Sequence, residues 1–234
     1  MEEPKTIVIA GACSDIGQCL VKRLSQKYLN LILLDQSMSK LEELKNSLEK
    51  SDAYLTLNAL DWNNKEELDN IFENIYDEFG NINTLVSLLD RCYFSPSGST
   101  DSAVECADMI NINYLANLAL VSNTLPVMLQ EDQGNIIALG ERMLSLNDFS
   151  KGYIASKAAL SSYWRELQRD CFSYNVQLAL VRFNDPTIFR PINKENKIKY
   201  IAQNQPALLE QIANMLDAII FQIHGSKINS ISLG

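Results

Sequence analysis

Histidine is almost missing from this chain: His224 stands alone among 234 residues. A Ser-His-Asp triad therefore has one possible base, near the C-terminus and far from any nucleophile motif. Paired cysteines are missing too. Cys13, Cys19, Cys92, Cys106 and Cys171 are odd in number, scattered and without a C-x-x-C spacing, which argues against a disulfide framework and against a zinc site, so no metal is expected. No uninterrupted apolar run approaches the roughly 20 residues that span a bilayer, and "MEEPKTIVIAGA" opens on acids where a signal sequence carries bases. Positive charge is in deficit. Twenty Lys and Arg against 29 Asp and Glu leave a formal charge of −9, which argues against nucleic-acid and anionic-membrane partners. With 9 Gly and 6 Pro there is no linker-like stretch, and residues 1–234 read as one domain of a cytoplasmic protein.

What is present is an alternation. Short β-branched or leucine-rich runs at 6–11, 31–35, 54–60, 84–89, 135–139, 176–183 and 228–233 predict seven strands. Amphipathic segments at 15–28, 38–50, 64–79, 103–131, 150–173 and 206–223 predict the helices between them. That order predicts an α/β fold, a Rossmann-like doubly wound parallel sheet of about seven strands flanked by helices. Strands apolar at consecutive positions should be covered on both faces. The segment 184–206 follows the sixth strand with little pattern of its own, at the carboxyl edge where ligands bind in such sheets.

The first strand runs directly into "GACSDIG", Gly11 to Gly17, and then a helix. Glycines at such a turn let the backbone approach a pyrophosphate, and the helix N-terminus offers it N–H groups and partial positive charge. Gly11 and Gly17, with Cys13, Ser14, Asp15 and Ile16 between them, are therefore candidate cofactor-binding residues. The second strand ends in Asp35, eighteen residues after Gly17, where a carboxylate can accept ribose hydroxyls and repel a 2′-phosphate. NAD is favoured over NADP on that ground. A purely structural use is also open: Gly11 as a turn residue and Asp35 as the N-cap of the helix starting near Met38.

"YIASKAAL", residues 153–160, sets Tyr153 and Lys157 four positions apart on one helix face. A phenol of pKa about 10 is a poor base at neutral pH, and a neighbouring ammonium favours its phenolate. The pair can thus serve acid–base work, although the same spacing occurs on ordinary solvated helices.

These stretches together resemble the short-chain dehydrogenase/reductase family over nearly the whole chain. "AGACSDIG" is similar to its T-G-x-x-x-G-x-G turn, "YIASKAAL" to its Y-x-A-S-K-A-A-L, "INYLA" to its V-N-x-x-G and "GNIIAL" to its fifth strand. The resemblance implies hydride transfer between a nicotinamide and an alcohol or carbonyl of a small-molecule substrate. Tyr153 would then be the acid or base, Lys157 would hold the nicotinamide ribose, Asn113 would shape the helix and a proton relay, and Asp61 would contact adenine. It also implies a homodimer or homotetramer, since in that family the fourth and fifth helices pack between subunits. Here those helices, "MININYLANLALVSNTLPVML" and "YIASKAALSSYWRELQRDCF", are apolar on more than one face.

The resemblance is incomplete at four places. The serine that binds the reacting oxygen falls at Gly140 and Glu141, with Ser145 several residues further on; losing such a donor costs about 10² to 10³ in rate. Glu141 is accordingly a candidate second acid–base group. The N-N-A-G stretch appears as "SLLD", Ser87 to Asp90, and the P-G after the sixth strand as Phe183 and Asn184. Asp15 replaces the middle glycine of the first turn, where it would also make an exposed cap for the helix. Tyr93, Phe94, Glu141, Arg142, Met143 and segment 184–206 are expected to line the pocket. Two readings follow: an NAD(P)-dependent oxidoreductase with an altered site, or a protein of the same fold whose chemistry has lapsed and which serves as a nucleotide-binding sensor or scaffold.

Overall fold

The first strand, β1 (Lys5–Ala10), is buried from Thr6 onward and is an interior strand, third from one edge, of a seven-stranded parallel sheet. In this computed structural model, residues 4–48, 50–93, 100–142, 150–183, 206–221 and 230–233 are described. The other strands are β2 (Leu29–Asp35), β3 (Tyr54–Ala59), β4 (Thr84–Ser87), β5 (Gly134–Arg142), β6 (Val176–Phe183) and β7 (Ser230–Leu233), in the order β3-β2-β1-β4-β5-β6-β7. Every recorded pairing is parallel. The order reverses between β1 and β4, which opens a crevice at their carboxyl ends.

The helices are α1 (Asp15–Leu24), α2 (Met38–Ser47), α3 (Lys65–Phe79), α4 (Ala103–Ile110), α5 (Ala116–Gln130), α6 (Lys151–Asp170) and α7 (Pro206–Ile220). Alternate strand residues feed two cores, as the period of two requires. Val8, Ile32, Leu85, Ile136 and Leu178 meet Phe72, Leu120, Leu160 and Trp164 on one face. Ile7, Leu31, Val86, Ile137 and Val181 meet Leu20, Leu24, Leu41, Leu216 and Ile220 on the other. The amphipathic stripe of α1 explains its placement: Ile16, Leu20, Val21 and Leu24 are buried, while Arg23 and Lys27 both reach Asp217 on α7.

One expectation changes. The predicted single helix over 103–131 is interrupted by a π-helical turn, Asn111–Leu115, in which the Ala116 N–H bonds back to the Asn111 carbonyl. Such turns open the i→i−4 ladder and re-aim the side chains within it. The run Ala103–Gln130 is long and apolar enough to cross a membrane by length and composition, although polar residues interrupt it throughout. Half of its most apolar window is buried within the fold, as the core helix of a sheet protein would be.

Candidate functional site

The glycine turn is built at the carboxyl end of β1. Gly11 adopts φ +79°, a region that L side chains rarely enter, and the Gly11 and Ala12 N–H groups both reach the Leu34 carbonyl, at 2.9 and 3.2 Å. Ser14 is the N-cap of α1: its hydroxyl accepts the Gly17 N–H at 3.1 Å and donates to the Gly11 carbonyl at 2.7 Å. Asp15 is therefore not the cap, and it is half-buried rather than exposed; burial pushes its carboxyl above the usual range. Ile16 points into the core at 4% exposure. Within the turn, Cys13 presents its N–H to Asp35.

Asp35 closes β2 with one carboxylate oxygen on the Cys13 N–H and the other on the Gln36 N–H, each at 2.8 Å. It does not cap the next helix, because Ser37 does. The carboxylate thus stands against the glycine turn, partly open to solvent. Beside it, the Arg91 guanidinium donates to the Gln36 side-chain carbonyl at 3.1 Å. Asp61 lies just after β3, exposed, its Oδ1 accepting both the backbone and side-chain N–H of Asn63 in an Asx turn.

Asn113 sits in the π-turn, fully buried. Its Oδ1 accepts the Arg91 N–H at 2.6 Å, and its Nδ2 donates to the Arg91 carbonyl at 2.7 Å and to the Ser156 hydroxyl at 2.9 Å. One amide side chain therefore clamps the segment after β4 to α6. Ser150 caps α6 by accepting the Tyr153 N–H at 3.0 Å, and Tyr153 and Lys157 follow on the buried face of that helix, at 3% and 0% exposure. Close approach of α6 to α4 requires Gly152, whose added Cβ would meet Cys106 Sγ at 2.7 Å.

The surroundings of Lys157 are the feature the sequence did not foretell. Its ammonium donates to the Leu139 carbonyl at 3.0 Å and the Leu89 carbonyl at 3.4 Å, and lies 3.1 Å from Asp90 Oδ1. Both side chains of the ion pair are sealed, at 0% and 1% exposure. Leu88 and Leu89, also from "SLLD", are buried, and the Leu88 backbone passes 3.2 Å from where a Gly11 Cβ would stand. Next along, burial pushes the Cys92 thiol up to about 12, and burial followed by the Asp35 charge does the same to Cys13. Neither is a thiolate nucleophile at neutral pH.

β5 runs on through Gly140 and Glu141 to Arg142, with a register shift between Leu139 and Arg142, so the positions expected after the fifth strand are still strand. Gly140 is pressed against β6: an added Cβ would meet Leu180 Cγ at 2.7 Å. The side chains of Glu141 and Arg142 lie outside the described residues, as do Phe94, Met143, Ser145 and Asn184 and the segment 184–205. Tyr93 donates its phenol to Asp108 at 2.5 Å, and Arg91 approaches the same carboxylate at 3.6 Å. A separate groove of about 490 Å³ lies on edge strand β3 between α2 and α3, lined by Asn58, Asn64, Asn70 and Asn74 among others, and holds none of the candidate residues.

Comparison with known proteins fits this geometry. The family model described as short chain dehydrogenase matches residues 5–187. An uncharacterised oxidoreductase of Staphylococcus epidermidis is 27% identical over 183 residues, covering 76% of each chain. A fatty acyl-CoA reductase of Acinetobacter baylyi is 25% identical over 216 residues, 91% of this chain and 71% of that one. In three dimensions, a metagenomic short-chain oxidoreductase in complex with NADP superposes with a TM-score of 0.81 at 17% identity, over 98% of this chain and 96% of that one. The closed form of a serine dehydrogenase complexed with NADP+ gives 0.79 at 18%, over 97% and 94%.

Proposed function

Because the chain belongs to the short-chain dehydrogenase family, we propose that it is an NAD(P)-dependent oxidoreductase that interconverts an alcohol and a carbonyl by hydride transfer, with Tyr153 as the general acid or base. The observation that carries this reading is the gathering of Tyr153, Lys157, Asn113 and Ser156 in one buried cluster at the sheet's carboxyl edge, the edge that also bears the glycine turn. A dinucleotide laid across the crevice between β1 and β4 would rest its pyrophosphate on Gly11 to Gly17 and the α1 N-terminus. When bound, it supplies the hydride. The chain's own part is to hold it, to exclude water and to move the proton: Asn113 fixes α6 against the segment after β4, and α6 carries the phenol.

NAD is favoured over NADP because the Asp35 carboxylate closes β2 where the adenosine ribose would lie, and Asp61 after β3 is read as an adenine contact. One observation favours NADP instead, the Arg91 guanidinium beside Gln36, since arginine near this strand end accommodates a 2′-phosphate. Titration calorimetry with NADH and NADPH on the wild type and on Asp35→Ala separates the two. Measurable binding with NADH preferred, and that preference lost in Asp35→Ala, is the expected result. No heat of binding with either nucleotide would sink the oxidoreductase reading.

The ion pair at Lys157 favours a second reading, in which chemistry has lapsed and the nucleotide site serves a sensor or scaffold. An ammonium already committed to a carboxylate is a poorer hook for a ribose and a weaker electrostatic partner for a phenol. Under either reading a homodimer or homotetramer is proposed, built on the outer faces of the helical run 103–130 and of α6, where Leu115 of the π-turn and Ala155 and Ala158 are exposed. Sedimentation equilibrium is expected to return a multiple of the chain mass, and a monomer mass at all concentrations would refute the oligomer.

A further inference from the structure

Asp90 occupies the last position of "SLLD", beyond the carboxyl end of β4 and beside the crevice where the strand order reverses. Its carboxylate is 3.1 Å from an ammonium that also reaches the Leu89 and Leu139 carbonyls. We propose that Asp90 is a positioning residue that withholds the Lys157 ammonium from the second ribose of a dinucleotide, so that a bound nucleotide must displace this carboxylate before Lys157 can hold it. The proposal rests on the oxidoreductase reading above.

Three observations carry it. The pair is sealed on both sides, at 0% and 1% exposure, so water does not screen it. A carboxylate outcompetes a neutral hydroxyl for an ammonium, because it adds a full charge–charge attraction where water does not screen it. The two main-chain carbonyls already tie α6 to the segment after β4 and to β5, so joining those elements does not require a charge at position 90. A buried ion pair is in any case a poor source of net stability, since desolvating two charges offsets their attraction. Asp90 therefore acts chiefly on what Lys157 is able to bind, and it makes the site's affinity for the nicotinamide half of the cofactor weak.

The test compares wild type with Asp90→Asn in the full chain, each titrated with NADH and with ADP, which ends at the pyrophosphate and has no second ribose. Asn keeps the side chain's size and removes its charge. Wild type is expected to bind NADH little better than ADP, and Asp90→Asn to bind NADH at least about tenfold tighter with ADP unchanged, the scale of one hydrogen bond to a charged group. A folded variant with wild-type affinities for both ligands overturns the proposal and leaves the oxidoreductase reading standing; so does a gain of equal size on ADP. If neither protein binds either ligand, both readings fall. Should Asp90→Asn fail to fold, ¹⁵N-lysine spectra of the wild type decide the matter. The sealed Lys157 ammonium is expected to give a slowly exchanging signal that moves on saturation with NADH, and a signal unmoved at saturation overturns the proposal.

Discussion

Lys157→Met is expected to lose about 3–5 kcal/mol of stability, the cost of removing one partner from a buried ion pair. Methionine keeps much of the lysine stem's volume, so packing on the inner face of α6 changes little and the loss isolates the ammonium. Three acceptors lose the ammonium at once: the Asp90 carboxylate at 1% exposure and the carbonyls of Leu89 and Leu139. The carboxylate dominates, because losing a counter-charge costs a buried charge far more than it costs a buried carbonyl. The double variant Asp90→Asn/Lys157→Met should recover most of the deficit, since it removes the buried carboxylate's charge together with its counter-charge. Urea midpoints of the wild type, both single variants and the double variant close the cycle. Equal midpoints for wild type and Lys157→Met would mean that the two charges are hydrated and not paired.

How far the residues alone disclosed this arrangement differs from place to place, and the differences have physical causes. Strand and helix order was legible because β-branched runs and amphipathic stripes repeat cleanly; β2, β3, β6 and α3 fall within two residues of their predicted bounds. Asn113 was legible as a family position, yet the π-turn that holds it was not, since nothing in "MININYLANL" differs from an ordinary apolar helix. Asp35 was legible as a strand-end acid, whereas its hold on the Cys13 N–H depends on how the turn folds back over β2. The partnership of Asp90 and Lys157 was the hardest to see. The two lie 67 positions apart on separate elements, and "SLLD" showed only that a small-residue motif had been replaced. The available signal was the acid itself: an aspartate directly after an apolar strand, with no polar neighbour on its strand side, has to find a cation somewhere in the fold. Asp15 shows the opposite limit, because its side chain is half-buried for reasons that lie in the packing of α1 and not in its own sequence context.

Gly17→Ala is the other large effect expected, and it falls on the turn that would carry a pyrophosphate. An added Cβ would stand 2.5 Å from the Ala12 carbonyl oxygen and 2.6 Å from that of Gly11. Both are backbone atoms, and neither is able to swing aside. Gly11 is fixed by its positive φ, by its bond to Leu34 and by the Leu88 backbone beside it, while the Ser14 hydroxyl pins the Gly17 N–H itself. The first turn of α1 must therefore lift off the loop. Overpacking of this kind costs about 3 kcal/mol at its upper range, which lowers the melting temperature of a chain this size by about 6–12 °C. The same displacement turns the N–H groups at the start of α1 away from the crevice, so ADP and NADH should both lose affinity, in contrast to the selective effect at Asp90. Gly80→Ala is the control: Gly80 also has a positive φ, +76°, but an added Cβ meets nothing within 4 Å. It should cost only the conformational strain, about 1–2 kcal/mol, with nucleotide affinity intact. A Gly17→Ala protein that melts with the wild type and keeps its ADP affinity would show that the turn does not press on α1 as described, and the pyrophosphate site would have to be sought elsewhere.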